Sequence, residues 1–358
     1  MNQQEVNRIL DDLEAKAERD IEVVFTRRLK SILAQMLEMH RKFGRNGEAT
    51  WTDVNKYNRF NQEMKLIAQQ LNADYKEIIK LIQASQERLY IERYLLMAYL
   101  LQQSSGEEMG FKIPSAEVIQ TALTNPVEFL TLPKIFEAHR NEIIRRLNIE
   151  IAQSLQAGES YTDMAIRIEN AMGWTRKKAT LVARTEGGRA RSQVDLAIEE
   201  QASKTARLTK VWMSSLDTRV RKSHRKLDGQ KADKDGYFHY NGIGGSDHLP
   251  EHLQDKAPSL GWKAKGPRLW GIASMDIQCR CHTIFMVNGK LPEYRRGRDY
   301  MDDTYQKQLA ARIDAYMSDL GLTYKQAFNK AYKEVKPPSV TIPFISYEDW
   351  RNQFSGKG

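Results

Sequence analysis

The sequence comprises 358 residues with 41% hydrophobic and 28% charged side chains, a length sufficient for two or three domains and a composition that suits a soluble protein. The longest strongly apolar run, Leu95–Leu101, is far too short to span a bilayer, and residues 1–20 contain no apolar signal-peptide core. Cys279 and Cys281 are too close together for an unstrained disulfide in an extended segment. The sequence therefore excludes a disulfide framework and predicts reduced thiols and folding inside a cell.

The formal net charge of +9 is concentrated in one segment. Residues 176–231 hold fifteen Lys or Arg residues against six acidic ones, so this excess of nine equals the charge of the whole chain. A local excess of this size indicates a polyanionic partner. The plainer alternative is a solvated face, because long helices carry many lysines and arginines.

Residues 1–104 are predicted to form a helical bundle. Apolar residues recur at steps of three and four from Ile9 to Leu37, which is the helix period. A second helix is predicted to begin near Trp51–Asp53, and a third carries the apolar residues of Ile78–Tyr99. Ser104–Gly106 ends the bundle.

Prolines punctuate residues 105–133, which are predicted to be a connecting region. Residues 134–204 form the next predicted part, which is helical and basic. The apolar pattern there predicts helices over 134–157, 161–172 and about 177–203.

Residues 205–290 are predicted to be a small α+β part. Leu208–Met213 alternates as a strand does, Asp217 is a suitable cap for a short helix ending at Leu227, and residues 277–287 read as a buried strand. Residues 228–268 have little periodicity and predict a long loop insertion, a type of segment that commonly carries function.

Residues 291–358 are predicted to form a helical tail. Its main helical section covers about 299–335, and Ser346–Arg351 reads as one more short helix or a docking peptide. The fold class predicted for the whole chain is mostly α: an N-terminal helical bundle, a small α+β domain with a long loop insertion, and a C-terminal helical tail.

His224 and Asp228 are four residues apart, so on a helix they would share a face. This spacing permits an imidazole oriented by a carboxylate, as in a supported metal ligand or a general base. The alternative is a helix end with an ordinary hydrogen bond and Gly229 as its C-terminal cap. Residue types alone favour this alternative.

Cys279 and Cys281 would point to one side of a strand, where thiolates and imidazoles together make a tetrahedral zinc site. The predicted ligands are His224, Cys279, Cys281 and His282, with His239, His248 and His252 as further candidates. The case for zinc is that a loop-rich insertion gains stability from such a clip. Two small buried thiols without a metal are the alternative, so the sequence makes no cofactor certain and leaves a structural zinc open.

The basic segment contains few aromatic residues, which favours phosphate contacts over base stacking and predicts DNA binding that is sequence-independent and sensitive to salt. The predicted contacts are Arg189, Arg191, Arg207, Lys210, Arg221, Lys222 and Arg225. A nucleophile elbow, a Walker motif and a His-Glu-x-x-His motif are all missing from the sequence, so no enzyme is predicted.

Several short sequence blocks occur along the chain in a characteristic order. They comprise Arg184, Thr185, Glu186, Trp212, Asp217, Arg219, His224, Asp228, Gly229, Cys279 and Cys281. In order and spacing they resemble the Mu F-like head morphogenesis family, the minor head proteins of tailed phages. The resemblance covers about residues 135–290, and Gln278 stands where the family commonly has Asn.

The resemblance implies a structural protein of the virion, present in few copies inside the head near the portal and made in the host cytoplasm. It implies the portal protein, a scaffold or the major capsid protein as partners, no membrane, and contact with packaged DNA that ends in ejection. It also implies that the matched residues define the fold rather than catalyse a reaction.

Two other interpretations remain open on the residues alone. A metal-dependent enzyme or a toxin-related effector would use the cluster of His224, Asp228, Cys279 and Cys281. A protein-interaction module would instead direct its positive charge to an acidic portal or scaffold surface.

Overall fold

The structure is a computed structural model that describes residues 2–43, 52, 58–124, 132–217, 219–240, 262–291, 293–346 and 349. In chain order its elements are α1 (Gln3–Phe43), α2 (Arg59–Ser105), α3 (Ala116–Thr124), α4 (Leu132–Ala157), α5 (Tyr161–Ala202), β1 (Leu208–Met213), α6 (Lys222–Leu227), β2 (Phe238–Tyr240), β3 (Trp262–Ala264), α7 (Ala273–Asp276), β4 (His282–Val287), β5 (Tyr294–Arg298), α8 (Asp303–Leu320), α9 (Tyr324–Glu334) and β6 (Ser339–Pro343). The predicted fold class, mostly α with an N-terminal bundle, is confirmed. The described helices lack the combination of length and apolar character that a bilayer crossing requires.

The chain divides into two compact units. The helical unit comprises residues 6–206 and 264–279, and the mixed unit comprises residues 1–5, 207–263 and 280–358. The predicted basic part, 134–204, thus belongs to the same unit as the N-terminal bundle.

Long helices build the core of the helical unit. Their apolar residues follow the helix period, and one cluster includes Ile32 of α1, Ile67 of α2, Ile151 of α4 and Ile168 of α5, all fully buried. Burying a side chain of this size contributes roughly 1.5–3 kcal/mol. Packing of this kind, rather than intrinsic helix propensity, stabilises helices of more than forty residues.

Two predicted helix breaks are wrong. Residues 59–105 form the single helix α2 where two helices were expected, and the predicted helices over 161–172 and 177–203 are the single helix α5. Gly173 lies inside α5 because a glycine costs only about 1 kcal/mol in a helix interior, less than the flanking buried residues contribute. The predicted end at Ser104–Gly106 is confirmed, since Gly106 has φ +72°. The predicted start near Trp51–Asp53 falls outside the described residues except for Thr52.

Short strand pairs organise the mixed unit. The strand predicted at Leu208–Met213 is confirmed as β1, which pairs antiparallel with β4 so that Trp212 lies opposite Thr283. The buried strand predicted from residue 277 begins only at His282, as β4. The predicted loop insertion 228–268 contains the short strands β2 and β3, and its residues 241–261 lie outside the described part of the chain.

The predicted helical tail is only partly helical. Gly321, with φ +60°, separates α8 from α9. β5 and β6 pair antiparallel, with Arg295 opposite Ile342, and neither strand was expected. The predicted helix or docking peptide at 346–351 lies largely outside the described residues.

Candidate functional site

His224 lies in the short helix α6 of the mixed unit, and 2% of its surface is exposed. Its ring packs edge-on against the buried indole of Trp212, with the ring centroids 5.7 Å apart. The helix ends at Leu227, and Gly229 adopts φ +78°, a conformation that glycine accepts without strain. The interpretation of this segment as a glycine-terminated helix end therefore agrees with the geometry.

The partner of the His224 imidazole is a thiol. Nδ1 of His224 lies 3.3 Å from Sγ of Cys281, and both side chains are buried. Ser214 supports the pair: its hydroxyl lies 3.7 Å from that sulfur and donates a 2.6 Å hydrogen bond to the carbonyl oxygen of His224. The ligand atoms of His224, Cys279 and Cys281 all lie within 4.8 Å of one another.

The carboxylate of Asp228 has another role than the one its spacing from His224 suggested. It accepts hydrogen bonds from the Ser214 backbone N–H at 2.7 Å and from Arg295, which sequence reasoning missed. The Arg295 side chain is 3% exposed and also donates to the carbonyl oxygens of Ser214 and Ile345. Asp228 thus anchors a buried guanidinium.

Arg280, between the two cysteines, pairs with Asp217. Both guanidinium nitrogens Nη1 and Nη2 donate to this carboxylate, whose side chain is 2% exposed. Asp217 also accepts from the backbone N–H of Arg219 at 2.9 Å. The prediction that Asp217 caps the short helix is therefore wrong, because α6 begins after Arg221 and Asp217 instead holds the arginine of the Cys-Arg-Cys motif.

Of the remaining predicted ligands, His282 and His239 are described and are not part of this group. His282, the first residue of β4, follows Cys281 directly, and successive side chains of an extended chain point to opposite faces. His239 is partly exposed, and its Nε2 lies 2.6 Å from Asp233. Hydrogen bonds from His239 and from two backbone N–H groups lower the pKa of Asp233 to about 2. His248 and His252 lie outside the described residues.

The Arg184-Thr185-Glu186 block lies in α5, within the helical unit. Arg184 pairs with Glu18 of α1, and the Thr185 hydroxyl donates to the carbonyl oxygen of Leu181. Glu186 is buried and accepts from Gln86 of α2 at 3.3 Å. These contacts join three helices, as expected for residues that define the fold.

The two glycines that follow this block allow close packing. A Cβ atom on Gly187 would lie 3.2 Å from a methyl group of Leu89, and one on Gly188 would lie 2.1 Å from the guanidinium carbon of Arg268. Arg268 donates a 3.2 Å hydrogen bond to the carbonyl oxygen of Gly188.

Gln278 donates its backbone N–H to the Thr185 hydroxyl at 3.4 Å, and its φ is +58°. Asn tolerates this left-handed conformation better than most residues do, which gives a physical reason for the Asn that the family commonly has there.

Asp276, which the sequence did not indicate, organises the segment that leads to the Cys-Arg-Cys motif. It accepts backbone N–H hydrogen bonds from Trp270, Gly271 and Ile272 at 2.8–3.2 Å. Burial raises its pKa to about 6, although these hydrogen bonds act in the opposite direction.

Two of the predicted DNA contacts are buried, and a third is largely shielded from solvent. Arg189 is 3% exposed and pairs with Glu186, Lys210 is fully buried, and the side chain of Arg191 is 12% exposed between Asp11 and Glu14. A phosphate cannot reach these cations unless they leave their positions, so burial argues against the three assignments. Arg176, Arg184 and Arg191 of the basic segment are thus paired with acidic residues of α1.

The other predicted contacts lie in the mixed unit and are more accessible. Arg207 and Lys222 are exposed, and Arg221 and Arg225 are half-buried. Lys226 and Lys231, which were not singled out, are exposed as well. We refer to Arg207, Lys222, Lys226 and Lys231 as the basic surface.

Comparison with known proteins gives matches to phage sequences. The sequence profile of the family described as "Phage Mu protein F like protein" matches residues 145–284. The minor head protein GP7 of Bacillus phage SPP1 is 39% identical over 299 residues, which are 83% of this chain and 91% of that protein.

Weaker similarity extends to bacterial proteins. An Enterococcus faecalis protein named NAD(+)–arginine ADP-ribosyltransferase EFV is 28% identical over 69% of this chain, and this similarity spans only 49% of that protein. An uncharacterized protein of Haemophilus influenzae is 28% identical over 30% of this chain. No solved structure matches the chain significantly.

Proposed function

The chain belongs to the Mu F-like family of phage minor head proteins, and we propose that it acts at the portal vertex during procapsid assembly, contacts packaged DNA and leaves the head with it. The observation that carries this proposal is the 39% identity to the SPP1 minor head protein along nearly the whole of both chains. Similarity of this extent argues for a shared role in head morphogenesis. The position at the portal, the DNA contact and the ejection are the proposed parts.

The basic surface supports the DNA contact. Arg207, Lys222, Lys226 and Lys231 are exposed in the mixed unit. Arg184 and Arg191 of α5 form ion pairs with acidic residues of α1. The basic segment contains few aromatic residues, so the proposed contact is to the phosphate backbone. Such contact is independent of sequence and weakens steeply with salt.

Titration of duplex DNA with the full chain at several salt concentrations tests this contact. The double variant Lys222→Glu/Lys226→Glu should bind more weakly and lower the salt slope by about 0.9 for each phosphate that the protein no longer neutralises. The matched control is Lys307→Glu/Lys325→Glu, which reverses two exposed lysines of α8 and α9. Equal affinity and slope for both double variants would contradict the DNA contact.

Co-expression with the portal protein of the same phage tests the assembly role. We expect the two proteins to purify together. We also expect procapsids from a phage that lacks this gene to retain their portal. Copurification with the major capsid protein but not with the portal would contradict the portal assignment and leave the assembly role in place.

The similarity to an ADP-ribosyltransferase brings forward one second candidate, an enzyme. Against it, the thiols of Cys279 and Cys281 and the imidazole of His224 are at most 3% exposed, which a substrate could not reach without local opening. We expect no consumption of NAD⁺ in the presence of an arginine acceptor. Turnover that is lost in a folded His224→Ala variant would support the enzyme instead.

A further inference from the structure

Three side chains that can donate to a metal ion lie close together and are buried: those of His224, Cys279 and Cys281. Their exposed fractions are 2%, 3% and 2%, and neither cysteine forms a disulfide. Asp228 lies nearby in sequence and forms a buried ion pair with Arg295. Thiolate sulfur and imidazole nitrogen are the donors that zinc prefers in proteins.

The distances match what a zinc ion requires. Zinc–sulfur and zinc–nitrogen bonds of about 2.3 and 2.0–2.1 Å, at a tetrahedral angle, place a sulfur and a nitrogen ligand about 3.5 Å apart. Nδ1 of His224 and Sγ of Cys281 are 3.3 Å apart, and the three ligand atoms lie within 4.8 Å of one another.

The neighbouring residues hold the donors in place. The indole of Trp212 packs against the His224 ring, and the Ser214 hydroxyl binds the backbone of the same residue. The Arg280 guanidinium bonds to Asp217, which fixes the residue between the two thiols. Supporting contacts of this kind orient the ligands of metal sites and strengthen them.

We propose that His224, Cys279 and Cys281 bind one zinc ion. The ion joins helix α6 to the chain that enters strand β4, two segments more than fifty residues apart in sequence. Its role is structural, because the donors are buried and metal binding to a loop-rich region adds directly to its folding free energy. This inference does not depend on the proposed role in the phage head.

Elemental analysis of the full-length protein, purified with a phosphine reductant and without chelator, tests the site. We expect about one zinc per chain in the wild type and in His239→Ala, and less than about a tenth of that in Cys281→Ser and His224→Ala. His239→Ala is the matched control because it removes a described histidine outside the group. Zinc that stays bound in folded Cys281→Ser would overturn the proposal.

A second measurement covers the case in which a variant fails to fold. Wild-type protein stripped of metal and loaded with Co²⁺ should show the intense sulfur-to-cobalt charge-transfer band and the visible bands of a tetrahedral site. Removing the metal should lower the melting temperature, and adding zinc should restore it. A wild type that contains no zinc and shows no cobalt spectrum would overturn the proposal and leave a thiol–imidazole hydrogen bond in its place.

Discussion

Arg295 and Asp228 form a buried, bidentate ion pair. Nη2 of Arg295 lies 2.9 Å from Oδ1 and Nη1 lies 3.1 Å from Oδ2, and both side chains are 3% exposed. The pair joins strand β5 to the end of helix α6, where Gly229 turns the chain. Asp228 therefore stabilises the mixed unit through its pair with Arg295.

Removing one partner of this pair should be costly. Arg295→Met leaves the Asp228 carboxylate buried without its cation, and we expect a loss of about 3–5 kcal/mol in unfolding free energy. Denaturant unfolding followed by tryptophan fluorescence measures it, because Trp212 is buried in the same unit. As a control, Arg312→Gln removes an exposed pair with Glu334 and should lower the unfolding free energy far less. Similar costs for the two variants would show that the buried pair is not the anchor.

Two glycines of α5 should differ in their response to alanine: Gly173→Ala should raise the stability, whereas Gly188→Ala should leave it nearly unchanged. Gly173→Ala meets no atom within 4 Å and should stabilise the protein by about 1 kcal/mol through helix propensity. Gly188→Ala must displace the Arg268 guanidinium and break its hydrogen bond, which offsets that gain by about 1 kcal/mol. Melting temperatures of the two variants test the difference, and an equal rise in both would contradict the close packing of Gly188.

Asp276 should give the stability a particular pH dependence. Its folded pKa of about 6 lies above the unfolded value of 3.8, so the folded state retains a proton that the unfolded state releases. The corresponding stability is present below about pH 4 and is lost as the pH rises through 6, by up to about 3 kcal/mol. Asp276→Asn should lack this slope. If the wild type instead gained stability relative to the variant over this pH range, the three backbone N–H groups would be holding the carboxylate ionised.

Local sequence patterns were sufficient for part of the fold. Alternation identified β1 at its observed limits, and the helix period identified α1 and the residues of the helical core. The periodic pattern cannot distinguish one long helix from two when the interruption is as weak as Gly173. β5 and β6 were missed because their pairing joins residues some forty-five positions apart and leaves little apolar alternation.

The sequence predicted which residues form the candidate site but not their hydrogen-bonding and ion-pair partners. Sequence order brought His224 together with the two cysteines, and the Cys281 contact agrees with that grouping. Spacing alone suggested Asp228 as the partner of the imidazole, because the competing cation Arg295 is sixty-seven residues away. The DNA contacts were predicted from the charges within the basic segment alone. Two of its arginines in fact form ion pairs with Asp11, Glu14 and Glu18 of the first helix, which local sequence does not reveal.

Mass spectrometry of density-purified, nuclease-treated phage particles tests the central claim most directly. The account predicts this chain at a few copies per particle, and its loss from the capsid after triggered DNA release. Particles and procapsids that both lack the chain would contradict its assignment as a minor head protein. Retention in emptied capsids would contradict ejection alone.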